Sequence, residues 1–180
     1  MAMPGANVVI TPTIRITPEW KKYRGNIYAA DISEYIEYTD TTFPQLFADM
    51  DSMVEARYPN MRPSMSAIHD YKRDVAQKGT NKDTVVANCS LPADITGARL
   101  VIWPGENGQS AWTAFVSPIQ SVSGRTVKLA DAITGDNQYS DSDPYTPHPG
   151  NPFYITGALS LLDVPGEYYF DVRANLRDNV

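Results

Sequence analysis

A single cysteine, Cys89, and two histidines, His69 and His148, are all that this 180-residue chain offers of the residue types most used for disulfides, zinc sites and proton transfer. One cysteine excludes an internal disulfide framework and points to a reducing site of synthesis. Its place beside Val85, Val86 and Ala87 predicts a buried, inert thiol. The histidines make no ligand-spaced pair: His148 sits in Pro147-His148-Pro149, an exposed loop by its prolines, and His69 reads as a surface or packed residue. Long apolar runs are missing too, since none approaches the ~20 residues that span a bilayer. Met1-Ala2-Met3-Pro4-Gly5 lacks the charged and hydrophobic regions of a secretory leader, so the expectation is a soluble, unexported protein with no membrane partner. Basic residues are scarce, with 15 Lys and Arg against 21 Asp and Glu, a formal charge of −6. That balance opposes direct binding along a nucleic acid.

Signatures of chemistry are absent as well. The chain has no Gly-x-Ser-x-Gly elbow, no phosphate-binding glycine loop and no paired-cysteine zinc motif. The expectation is therefore no enzyme, no cofactor, no catalytic residue and no metal site. Asp136, Asn137, Asp141 and Asp143 supply hard oxygen ligands within one loop, the raw material of a calcium site. They lack the spacing and terminal bidentate glutamate of a calcium-binding loop and read as a solvated loop.

What the sequence does contain is β-like. After Lys82, short runs rich in β-branched and aromatic residues cover 84–91, 98–103, 111–116, 126–129, 153–162 and 167–174. Thr96-Gly97, Pro104-Gly105, Ser123-Gly124, Thr134-Gly135 and Pro165-Gly166 separate them, each placing glycine where the chain reverses. This spacing predicts an antiparallel sandwich or barrel over residues 83–180. Within it, Trp103 and Trp112 are expected in the core.

Residues 1–82 read differently, as an α+β adaptor lobe. Val8 to Thr17 alternates β-branched and polar residues, with Pro12 restricting it to an edge strand or a break. It forms either an arm that pairs with a neighbouring subunit's sheet or a strand of its own lobe. Gly25 to Tyr38, with Ile27, Ile32, Tyr35, Ile36 and Tyr38, fits two short strands or one helical turn. Phe43, Leu46, Phe47, Met50, Met53 and Val54 recur at three- and four-residue spacing behind Thr41, Thr42 and Pro44. That pattern predicts one amphipathic helix over residues 42–57, ending near Tyr58-Pro59 and covering one face of a sheet. Residues 60–82 read as an irregular connector. Charge divides in the same way: residues 1–80 carry 9 basic and 10 acidic groups, residues 81–180 carry 6 and 11.

Three segments carry a family resemblance: Asp94-Ile95-Thr96-Gly97-Ala98-Arg99-Leu100-Val101-Ile102, then Gly124 to Asp131 with Thr134-Gly135, then Asp163-Val164-Pro165-Gly166-Glu167-Tyr168-Tyr169-Phe170-Asp171-Val172. Their order resembles the immunoglobulin-like N-terminal domain of tailed-phage baseplate upper proteins and related tail and fibre proteins. An insertion over residues 136–152 departs from that pattern. The resemblance implies an Ig-like β-sandwich and a non-enzymatic, virion-located part. Its implied partners are itself and other virion proteins, joined or decorated at tail, baseplate, neck or fibre attachment, in a symmetric homo-oligomer. Beside the insertion, Tyr139, Tyr145, Phe153 and Tyr154 are the candidate contact residues, either for a protein interface or for a host glycan. The second alternative makes the chain a carbohydrate-binding module.

Overall fold

The computed structural model describes residues 13–35, 45–49, 51–61, 73–105, 113–134 and 145–171. The contacts gather the chain into two compact units: Met1–Phe43 with Val172–Val180, and Pro44–Asp171. They divide it after residue 43, whereas composition changes after residue 82.

In the first unit, β1 (Lys21–Arg24) and β2 (Ile27–Ala29) form an antiparallel hairpin. Lys22 lies opposite Tyr28, Lys21 opposite Ala29, and the register slips between Lys22 and Arg24. Of the two readings open for residues 25–38, the described part takes a strand at 27–29 and a turn closed by Tyr35 N–H donating to the Ile32 carbonyl at 2.9 Å. Residues 13–17 form no strand, and residues 8–12 of the expected arm lie outside the described residues.

The second unit is mainly β. Its strands are β3 (Phe47–Ala48), β4 (Asp51–Ser52), β5 (Val54–Glu55), β6 (Arg57–Tyr58), β7 (Asp74–Val75), β8 (Thr84–Val86), β9 (Arg99–Ile102), β10 (Phe115–Ser123), β11 (Thr126–Leu129), β12 (Pro152–Thr156) and β13 (Glu167–Tyr168). Seven of them make one antiparallel sheet in the order β6-β12-β9-β10-β11-β8, with β7 also on β12. β3 pairs with β4, and β13 runs parallel to β5.

The amphipathic helix expected over 42–57 is not formed: residues 45–49 and 51–57 run as strands and turns, and no described segment holds a helix of that length. Partners remote in sequence decide this. Val54 N–H donates to the Gly166 carbonyl at 3.1 Å, and Ala56 N–H to that of Tyr168 at 2.7 Å. Asp49, with φ 50°, sits in a left-handed conformation that a right-handed helix cannot contain. Tertiary pairing thus overrides an apolar spacing that suits a helix, and Phe47 is left 46% exposed rather than facing a core.

β10 is the hinge of the sheet. Its first half, Phe115 to Pro118, pairs with β9, and its second half, Ile119 to Ser123, pairs with β11 across a register shift between Ile119 and Ser121. Pro118 falls where the strand changes partner, which is where a residue without N–H is tolerated. Val85, Val127, Leu129 and Ile119 from one side of this change pack with Leu100, Ile102, Phe153 and Ile155 from the other in a single cluster. Each such side chain contributes about 1.5–3 kcal/mol by leaving water. Of the strand expected over 111–116, residues 115 and 116 begin the longer β10, residues 113 and 114 are not strand, and 111 and 112 lie outside the described residues; the glycine at 124 (φ 59°) turns β10 into β11.

Candidate functional site

Alternation along the strands separates a core face from a second face. Leu100 and Ile102 point into the core with Phe153 and Ile155, so Arg99, Val101 and Trp103 share the other face with Tyr154 and Thr156. In register, Val116, Val101 and Tyr154 form one row across β10, β9 and β12, and Pro118, Arg99 and Thr156 form the next. Val116 is 56% exposed at the open end of its row.

Two arginines from flanking segments close over the aromatic end. The Arg57 guanidinium carbon lies 4.0 Å from the Tyr154 ring centroid, and that of Arg73 lies 3.8 Å from the Trp103 ring. The two rings are 5.8 Å apart, tilted by 38°. Arg57, itself buried, also donates from Nε to the Pro59 carbonyl at 3.1 Å. Arg99 holds Glu55 through Nη2, at 2.8 and 2.9 Å from its two carboxylate oxygens. Burial raises the Tyr154 hydroxyl above the ordinary phenol range, aided by Glu55 and opposed by the arginines. Tyr168, beside Glu55 in the β5–β13 pair, is pushed up to about 12 by burial and then by the Glu55 charge. The Trp103 and Tyr154 rings each have one π-face already covered by a guanidinium, so this pair binds its own flanks before any outside group.

The sequence-derived contact residues are dispersed by this geometry. Tyr154 joins the arginine–aromatic array, half-buried. Tyr145 is half-buried with its ring 6.2 Å from that of Phe115. Phe153 is fully buried in the core, because it follows the parity of Ile155 and not of Tyr154. Tyr139, the oxygen ligands at 136, 137, 141 and 143, His69 and Trp112 lie outside the described residues. Trp103 is half-buried on the second face and not in the core, since it shares the parity of Val101. His148 is half-buried, its backbone N–H donating to Asn151 Oδ1 at 2.7 Å.

Cys89 is exposed, against the expectation of a buried thiol. β8 ends at Val86, Ala87 is the last buried residue, and the chain then bends outward at Asn88 and Cys89. There the Tyr58 hydroxyl donates to Asp74 Oδ2 at 2.9 Å and lies 2.9 Å from Cys89 Sγ. The phenol has one proton and spends it on Asp74, so the thiol is the donor to Tyr58. Asp74 also accepts from Val75 N–H at 2.7 Å and from Asn88 N–H at 2.9 Å. Burial, the Cys89 contact and the Asp74 carboxylate together hold Tyr58 far above the usual phenol range.

Among the described residues, the Glu167 carboxyl is buried with neither oxygen in a well-formed hydrogen bond, although the backbone amides of Asp163, Arg57 and Val164 approach it. Burial pushes its carboxyl up to about 7, with the Asp163 charge adding to the rise.

Unlike this second unit, the hairpin of the first unit keeps its aromatics in water. Trp20 is 52% exposed, Tyr23 59% and Tyr28 57%, interleaved with the exposed Lys21, Lys22 and Arg24. Lys21 meets Glu19 at 3.5 Å, an ion pair too exposed to fix the hairpin. Sequence reasoning passed over this segment because its alternation is too short to mark a strand. Its visible signal was the run Trp20-Lys21-Lys22-Tyr23-Arg24, dense in the side chains favoured at interfaces. Among the described residues no group of three or more His, Cys, Asp and Glu is placed to hold a metal ion. No protein-family model, curated protein or solved structure matches the chain.

Proposed function

We propose that this chain is a non-enzymatic structural component of a tailed-phage particle, joining or decorating symmetric virion parts through protein–protein contacts. The observation that carries the reading is the exposure of Trp20, Tyr23 and Tyr28 on one basic hairpin. Large aromatics left in water beside arginine and lysine are characteristic of surfaces completed by another protein.

The fold is consistent with an Ig-like sandwich as the mount for such contacts. The three segments that resemble phage tail Ig-like domains form a turn leading into β9, the β10–β11 hairpin, and a turn leading into β13. A sheet that changes partners along β10 and gathers both of its parts around one core matches the way sandwich corners are built. The carbohydrate-binding alternative draws less support. Tyr154 and Trp103 each have a ring face occupied by Arg57 or Arg73, so a sugar stacking there would have to displace a guanidinium.

Quantitative mass spectrometry of purified particles encoding this chain tests the reading. Recovery at a fixed copy number per particle is expected. Particles that lack it, together with saturable glycan binding lost in Tyr154→Ala, would replace the structural role by the carbohydrate one.

A further inference from the structure

We infer that the β1–β2 hairpin docks on the Pro44–Asp171 unit of a second copy of this chain, a head-to-tail contact that repeats from copy to copy. This deepens the structural role proposed above and rests on that reading.

Charge complementarity within one sequence is the first argument. Residues 19–31 hold Lys21, Lys22 and Arg24 against Glu19 and Asp31, a formal +1 with Glu19 beside Lys21 at 3.5 Å, whereas the unit formed by residues 44–171 carries nine basic against fifteen acidic residues, a formal −6. Exposed carboxylates are available on that unit at Asp49, Asp51, Asp94, Asp131 and Asp163. Long-range attraction between two such surfaces orients the approach, and the same field repels a polyanion brought close to residues 44–171.

The second argument is chemical type. Trp20, Tyr23 and Tyr28 supply apolar area and Arg24 a bidentate donor; by register Lys22 shares the face of Tyr28, whereas Lys21, opposite Ala29, and Arg24, opposite Ile27, lie on the other face, so the hairpin offers basic groups on both faces to a partner that grips it. A patch that is basic and aromatic cannot be its own complement, since two such hairpins face to face would set like charges together. The contact is therefore heterologous, and its repetition closes into a ring or runs on as a filament.

Sedimentation velocity of the full chain, at low and high salt, reads the prediction directly. The native chain should sediment as a multiple of 19.9 kDa, with at least about tenfold weaker association on going from low to high salt. Lys21→Glu/Lys22→Glu/Arg24→Glu should be monomeric with unchanged circular dichroism, and Lys21→Arg/Lys22→Arg should associate as the native chain does. The reversed variant keeps an accepting unit and lacks a donating hairpin, so mixing it with native chain should shorten the oligomers by capping them. If the reversed variant associates as well as the native chain, or native chain is monomeric at every salt concentration, the proposal is overturned. A hairpin-dependent shift of a labelled single-stranded oligonucleotide, with association untouched by the reversal, would reassign the hairpin to nucleic acid. Particle incorporation is read separately: a chain that self-associates through the hairpin but is absent from particles keeps this inference and loses the virion role. A chain that is incorporated but strictly monomeric does the opposite.

Discussion

Arg57 and Tyr154, on the paired strands β6 and β12, meet with the guanidinium carbon 4.0 Å from the ring centroid. The contact clamps a two-residue edge strand onto the sheet, because Arg57 is buried and its Nε is anchored to the Pro59 carbonyl. Arg57→Ala should destabilise the chain by roughly 2–3 kcal/mol through lost packing and lost hydrogen bonding. In a double-mutant cycle with Tyr154→Leu, urea denaturation should show coupling of about 1–2 kcal/mol. Additive losses would mean that the stacked geometry contributes nothing of its own.

Glu167 predicts a falling stability across neutral pH. Its carboxyl stands at about 7 in the fold, against 4.5 for the free side chain. Between those values the folded chain holds a proton that the unfolded chain has released, so the contribution is whole below about 4.5 and is lost as pH rises through about 7. The full effect is on the order of 3 kcal/mol. Glu167→Gln stays neutral throughout, so its denaturation midpoint should vary less over this range and exceed that of the native chain at alkaline pH. Parallel pH profiles for the two proteins would count against an unpaired, buried carboxylate.

Cys89 should react in the native state. Being exposed, it should take up one equivalent of a maleimide without denaturant, and the alkylated chain should stay folded. Tyr58→Phe removes a donor from the buried Asp74 carboxylate and should lower stability by about 1–3 kcal/mol. Labelling that needs denaturant would restore the buried thiol expected from its apolar neighbours.

Phe153 and Val116 should separate core from surface. Phe153→Ala empties a fully buried site between β9 and β7 and should cost about 3–5 kcal/mol, whereas Val116→Asp, at a 56% exposed position, should stay within about 0.5 kcal/mol. Thermal unfolding of the two variants provides the check. Comparable losses would mean that the row of Val116, Val101 and Tyr154 is covered.

The β character of residues 83–171 was legible because it rests on local marks. Gly97, Gly124 and Gly166 all adopt positive φ where turns were expected, and 126–129 is a strand with the expected bounds. The apolar spacing from Phe43 to Val54 misled for a physical reason: what holds residues 54–58 is β12 and β13, more than ninety positions further along the chain. The contact residues were legible as aromatic but not by face. Phe153 and Tyr154 are adjacent, and only the register against Ile102 and Val101 decides which one enters the core. Arg57 and Arg73, which make Tyr154 and Trp103 part of one array, gave no local sign of it.

The parallel pairing of β5 with β13 sets an order of events during synthesis. Val54 and Glu55 leave the ribosome long before Glu167 and Tyr168 exist, and β6 likewise waits for β12. Through most of translation the chain therefore carries unpaired strand edges at 54–58, with Ala56 and Tyr58 denied their core, and it is open to mispairing with nascent neighbours. The contacts that complete the Pro44–Asp171 unit are its most sequence-distant ones, so its folding is expected to be slow, and to finish only after residues 167 and 168 have cleared the ribosome.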